Sequence, residues 1–171
     1  MSILSVAFAG ILLFEIVRKQ LSPMGYYTNR LFGFVLRKKE KAPGFHLTGA
    51  TYVLAAAIVV TLLFPKPIAI TALVIILVAD SAAALVGRRY GKIRVLDKSA
   101  EGSVAFLVTA LLCVIAIALF TGFHERFALG GLIASVVSTA VELSANLLPF
   151  DDNLSITLAA ASSMWLVMYG F

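Results

Sequence analysis

Six stretches dominated by apolar residues run along the chain: Ser2–Val17, Leu47–Phe64, Ile68–Val86, Val104–Phe123, Phe127–Leu148 and Leu154–Phe171. Each is near the roughly 17–25 residues with which a helix crosses hydrocarbon. None alternates apolar and polar positions with the period of two that marks a membrane strand, so the pattern predicts helices. Between the first two stretches, Gln20–Phe45 carries Pro23, Gly25, Asn29 and Gly33 among Tyr26, Tyr27, Phe32 and Phe34, then a basic run from Arg37 to Lys41. Aromatic rings beside lysines and arginines suit the head-group zone, which predicts an interfacial segment. The expected fold is all-α: a polytopic integral membrane bundle of six transmembrane helices plus a cytoplasmic-side interfacial segment, forming a single domain over residues 1–171.

Composition sharpens this into an exclusion. With 61% hydrophobic and 13% charged residues, the chain has too little polar surface for a water-soluble domain. Of the 14 basic residues, Arg18, Lys19, Arg30, Arg37, Lys38, Lys39 and Lys41 fall in the first connection and Arg88, Arg89, Lys92, Arg94 and Lys98 in the third. Only Lys66 and Arg126 lie on the alternate side. That asymmetry places the two large basic loops in the cytoplasm. The net charge of +5 therefore reports topology and anionic head groups or nucleotide, and no basic soluble domain is present to bind nucleic acid. The lone Cys113, inside an apolar run, excludes a disulfide framework and a cysteine metal site. Glu15 and Arg18, three residues apart, are positioned to pair on one helix face. His46 reads as an interface residue.

The candidate chemistry gathers at Asp80–Ser103. Asp80 stands seven residues before Gly87, about 10 Å inside its segment at the usual helical rise. An acid at that depth is costly and is expected to face a cation, a partner or a wet cavity. The following loop supplies Arg88, Arg89, Lys92 and Lys98 to a polyphosphate, with Gly87 and Gly91 where backbone can approach a ligand. Ser99 or Ser103 is placed to cap the next helix, whose exposed N–H groups favour an anion. In the fifth stretch Ser135, Ser138, Glu142 and Asn146 share one predicted helix face, which brings Glu142 to a depth like that of Asp80. Asp151, Asp152 and Asn153 open the last helix, Asp151 as a candidate N-cap. Asp80, Glu142, Asp152 and Asn153 offer only oxygen, which suits Mg²⁺ and makes zinc a poor match.

DSAAALVGRRYGK, KSAEGS and VELSANLLPFDDNLSI, with EIVR, YYTNRLFGFVLRKKE and GATY upstream, resemble in the same order the CTP-dependent lipid alcohol kinases, such as dolichol kinase, yeast-type diacylglycerol kinase and phytol kinase. The resemblance covers nearly the whole chain. It implies transfer of the γ-phosphoryl group of CTP, with Mg²⁺, to the hydroxyl of a membrane lipid alcohol. It also implies functional positions at Asp80, Gly87, Gly91, Lys98, Ser99, Glu101, Gly102, Ser103, Glu142, Asp152 and Asn153. The family's upstream Arg-Lys-x-x-His pattern is not matched here. Together with that resemblance, the residues predict catalytic roles for Asp80, Lys98 and Glu142. A cytidylyltransferase releasing pyrophosphate is a rival reading, against which stands the missing G-G-x-x-D-R-x-D pattern; a transporter or non-catalytic subunit is another.

Overall fold

The computed structural model describes residues 2–20, 48–122, 125–148 and 151–170. The expected interfacial segment and His46 lie outside these residues, as does the side chain of Arg18. The described chain is all-α apart from one short hairpin: α1 (Ser2–Gln20), α2 (Gly49–Leu63), α3 (Lys66–Val74), a π-helical turn (Ile75–Ala79), α4 (Asp80–Tyr90), strands β1 (Arg94–Val95) and β2 (Lys98–Ser99), α5 (Ala100–Thr121), α6 (Glu125–Leu143), a 3₁₀ turn (Ala145–Leu147) and α7 (Asp152–Tyr169). Each of the six apolar stretches thus contains a helix. Among the described residues, three helices are long and apolar enough to cross a membrane: the continuous rod Lys66–Tyr90, α5 and α6. α2, at 15 residues, is shorter.

The chain forms two compact units, Met1–Ile58 and Val59–Phe171. In the first, the buried Glu15 carboxylate accepts the Thr48 N–H at 2.8 Å, immediately before α2 begins. Negative charge at a helix start matches the positive end of its dipole. Glu15 therefore serves as a distant cap for α2.

In the second unit the Lys66–Tyr90 rod, α5, α6 and α7 pack as consecutive neighbours, and α3 also meets α7. Burial on α5 falls on Gly102, Ser103, Phe106, Ala110 and Val114, a three-to-four-residue rhythm that marks one inward stripe. The other face exposes Val104, Val108, Leu112, Ile115, Leu119 and Phe120. A continuous exposed apolar face is what lipid requires and water does not tolerate. Small residues bring the axes close: a Cβ on Gly131 would strike the Val114 side chain of α5, and one on the adjacent Gly130 would lie 3.3 Å from Met164 of α7. The consecutive glycines thus fit α6 between two neighbours.

The rod ends later than expected. Gly87, Arg88, Arg89 and Tyr90 are its last turn, and Gly91 is the C-cap. Arg88 and Arg89 are therefore helical residues, favourably placed at the negative end of the dipole, instead of loop residues. Within the rod the π turn buries Ile75, Ile76 and Ala79 and directly precedes Asp80; wide turns of this kind interrupt helices mostly near functional sites.

Candidate functional site

Asp80 lies on a helical face whose next members are Ala83, Ala84, Gly87 and Gly91, spaced as successive turns require. Because these residues are small, the face leaves a groove that side chains elsewhere in the rod would fill. The resulting cavity, about 360 Å³, is lined along that face by Asp80, Ala83, Ala84, Gly87, Arg88 and Gly91, and opposite by Arg94, Lys98, Ser99, Gly102 and Glu142. Two carboxylates and three cations thus converge on one space.

Ser99 closes one wall. Its hydroxyl accepts the Gly102 N–H at 3.1 Å, so it is the N-cap of α5, while the Ala100 N–H donates to the Ile93 carbonyl. A Cβ on Gly87 would come 2.7 Å from the Ser99 hydroxyl, one on Gly91 2.7 Å from Ser99 Cβ, and one on Gly102 3.0 Å from the Ala83 carbonyl. The missing side chains of these glycines admit Ser99 and the start of α5 against α4, and all three glycines also line the cavity.

Glu142, on the inner face of α6 with the buried Ser135 and Ser138, is the deepest charge of the site. It accepts the Ser103 hydroxyl at 2.9 Å on Oε2 and pairs through Oε1 with Lys98 Nζ at 2.7 Å. The Glu142 side chain is 3% exposed and that of Lys98 27%. Lys98, expected at the polyphosphate and in a catalytic role, is the counter-ion of a buried acid, which fixes its ammonium at the cavity wall. Asp152 approaches the site at Lys98, its Oδ2 lying 4.0 Å from Nζ.

Other expected members fall elsewhere. Glu101 turns to the backbone and accepts the N–H groups of Lys92 and Ile93 at 3.0 and 3.2 Å, so it braces the loop instead of meeting a ligand. Arg89 and Lys92 do not line the cavity, because Arg89 projects a further helical step around α4 and Lys92 lies beyond its end. Asn153 is buried and donates through Nδ2 to Asp151 Oδ1 at 2.9 Å, while Asp151 accepts the Asn153 N–H as N-cap of α7. Asn153 thus joins the cap of α7 through both of its N–H donors. Asn146 also leaves the inward stripe: α6 ends at Leu143, the chain tightens into the 3₁₀ turn, and Asn146 Nδ2 reaches Asp97 Oδ2 at 2.6 Å. That bond ties the β1–β2 hairpin, with its two-residue loop Leu96-Asp97, to the end of α6. Among the described residues no three His, Cys, Asp or Glu side chains gather into a metal cluster.

Sequence reasoning missed the walls. Ala83 and Ala84 were visible as small residues near the acid, and their spacing from Asp80 was the available signal for a groove. Arg94 was legible as one of the basic residues of a loop suited to phosphate, and the fold places it on the cavity wall. The Lys98–Glu142 and Ser103–Glu142 contacts join positions some forty residues apart and left no local signature.

Fold and cavity together define a helical membrane protein with a charged, open cavity at one end of a four-helix packing. The chain is 30% identical over 155 residues to the uncharacterized protein RP860 of Rickettsia prowazekii (strain Madrid E), an alignment that covers 91% of this chain and 76% of that protein. It belongs to the same family as that protein. No family model and no solved structure matches the chain.

Proposed function

We propose that the protein is a membrane-embedded kinase that transfers the γ-phosphoryl group of CTP, or of a related nucleoside triphosphate, to the hydroxyl of a lipid alcohol such as a polyprenol, a phytol-like alcohol or diacylglycerol. The observation that carries this reading is the cavity itself, in which Arg88, Arg94 and Lys98 face Asp80 and Glu142. The resemblance of the surrounding segments to the CTP-dependent lipid alcohol kinases selects the reaction. In the same reading all six apolar helices span the bilayer, and both basic connections, with the cavity, face the cytoplasm.

Phosphoryl transfer asks a protein mainly for alignment and charge neutralisation. The lipid oxygen attacks the γ-phosphorus as the bond from that phosphorus to the bridging β-oxygen breaks, giving a lipid phosphate monoester and CDP, and the hydroxyl proton leaves to a base. Arg88 and Arg94 are placed to neutralise the polyphosphate. Lys98, oriented by Glu142, presents one ammonium to the same space. Asp80 is the acid best placed to take the proton or to hold a cation. Mg²⁺ commonly binds through one or two carboxylates together with phosphate oxygens and water. Asp80 and Glu142 fit that donor number, and when bound the ion would supply charge neutralisation for the leaving group. Asp152 supports Lys98 from behind.

Incubating the purified protein in lipid with γ-labelled CTP and a mixture of lipid alcohols tests the proposal: label should move to a lipid monophosphate, with CDP as co-product. Pyrophosphate release with a CDP-lipid would assign the chain to cytidylyl transfer instead. Absence of nucleotide turnover in a folded protein would assign it a transport or subunit role. Asp80→Asn should abolish transfer while the protein remains folded.

A further inference from the structure

The outer side of α4 carries a second concavity, separate in its lining from the first except at one residue. A groove of about 480 Å³ is lined by Leu85, Val86, Arg88, Arg89 and Tyr90. Among the described residues, Arg88 is the one that lines both spaces.

The groove is graded from apolar to cationic along the helix. Leu77, Val78 and Leu85 are exposed on the rod, Leu85 at 64%, and the helical period brings Val78, Leu85 and Arg89 onto one side. Above them the Arg89 guanidinium lies 5.5 Å from the centre of the Tyr90 ring, and Tyr90 is 58% exposed. Arg88 is held against the helix by its Nε–H, which donates to the Ala84 carbonyl at 3.0 Å. That bond uses only Nε, and the guanidinium lines both the cavity and the groove. Among the described residues the lining holds two guanidinium groups and no acid. Cations at a helix end beside an aromatic ring, above a lipid-facing apolar stripe, match in order a phosphate head, its linkage and an acyl or prenyl chain.

We propose that this groove binds a lipid-borne phosphate, with the phosphate on Arg88 and Arg89 and the chain along Leu85, Val78 and Leu77. The occupant is committed by charge complementarity and by the apolar stripe beneath it. A soluble anion would use the guanidinium groups and leave the stripe unused. The site stands on the groove alone. If the kinase reading holds, the shared Arg88 also makes the groove the first station for the lipid phosphate formed next door. If that reading fails, the groove is still expected to hold an acidic membrane lipid.

The test uses the full chain in nanodiscs of zwitterionic lipid, titrated with a lipid phosphate monoester, with an acidic phosphodiester lipid and with inorganic phosphate, and read by native mass spectrometry. At least one phosphate lipid should bind, and inorganic phosphate should not compete at equal concentration. Arg89→Gln should weaken that binding about tenfold, the loss of about one charge-assisted contact. Lys66→Gln, at the opposite end of the same rod, should leave it unchanged. Preference for the monoester would identify the product class, and equal binding of both lipids would identify bulk acidic lipid. Binding undiminished in Arg89→Gln, equally diminished in Lys66→Gln, or matched by inorganic phosphate would overturn the proposal. The readout is binding, so a chain inactive toward CTP still decides the matter.

Discussion

Lys98 and Glu142 depend on each other more than either depends on the rest of the chain. Removing the ammonium leaves a carboxylate that is almost wholly buried with Ser103 as its remaining partner, a loss on the order of 2–3 kcal/mol, below the range for fully buried pairs because Lys98 is partly exposed. Lys98→Met should therefore lower the denaturation midpoint in detergent. The double variant Lys98→Met/Glu142→Met should recover part of the loss, giving a coupling energy above about 1 kcal/mol in a double-mutant cycle. Additive losses would mean that the two side chains act separately. Gly91→Ala should cost about 1–3 kcal/mol, because the new methyl meets Ser99 and the Gly87 carbonyl. Gly10→Ala is the control. No described residue lies within 4 Å of its Cβ position in α1, so helix propensity is the main effect there and stability should rise slightly.

Helix propensity and patterning made most elements legible. The six apolar stretches were readable because burial has a fixed period, and the cap at Asp151 because capping is local chemistry, whereas Ser99 and Ser103 both fitted the start of α5 and the fold selects Ser99. The end of the rod was misplaced because Gly87 looks like a helix stop, whereas its missing side chain serves packing against Ser99. Asn146 was misplaced because periodicity was extended past Leu143, where the helix had already ended. The hairpin escaped notice altogether. Its loop residue Leu96 has φ +56°, where glycine is the ordinary choice, so the sequence lacks the usual turn signal. Leu96→Gly should accordingly relieve about 1 kcal/mol of backbone strain, less the entropy that glycine adds to the unfolded chain. A small rise in melting temperature with unchanged helical circular dichroism is the expected result, and a fall would show that the leucine side chain contributes more than its backbone costs.

Across the whole molecule, the orientation inferred from the basic residues can be checked against the fold. Lys66 begins the Lys66–Tyr90 rod and Lys92 lies just past its end, so a single crossing places them on opposite faces of the bilayer. In a Cys113→Ala background, Lys92→Cys should react with an impermeant thiol reagent only after the cytoplasmic face is opened, and Lys66→Cys in intact cells. Reaction of both from one side would mean that the rod does not cross. Tertiary pairings were the illegible part of the candidate site. Sequence placed Asp80 and Glu142 at similar depth and Lys98 in the basic loop, but only packing could make Lys98 the partner of Glu142 and bring Asp152 to within 4.0 Å of it.

The π turn at Ile75–Ala79 bears on how this chain tolerates changes of length. A wide turn holds one residue more than an α-helix needs for the same advance, so it stores a spare position. Deleting Val78, exposed within that turn, should tighten it to ordinary α geometry and leave Thr71 and Ala72 in the core and Asp80 at its cavity. Deleting Ala82, two residues past Asp80 in ordinary helix, has no spare position to consume. Every later residue of the rod would rotate by about 100°, carrying Gly87 and Gly91 away from Ser99. Folded yield after the two deletions should differ sharply, although they remove neighbouring small or aliphatic residues from one helix.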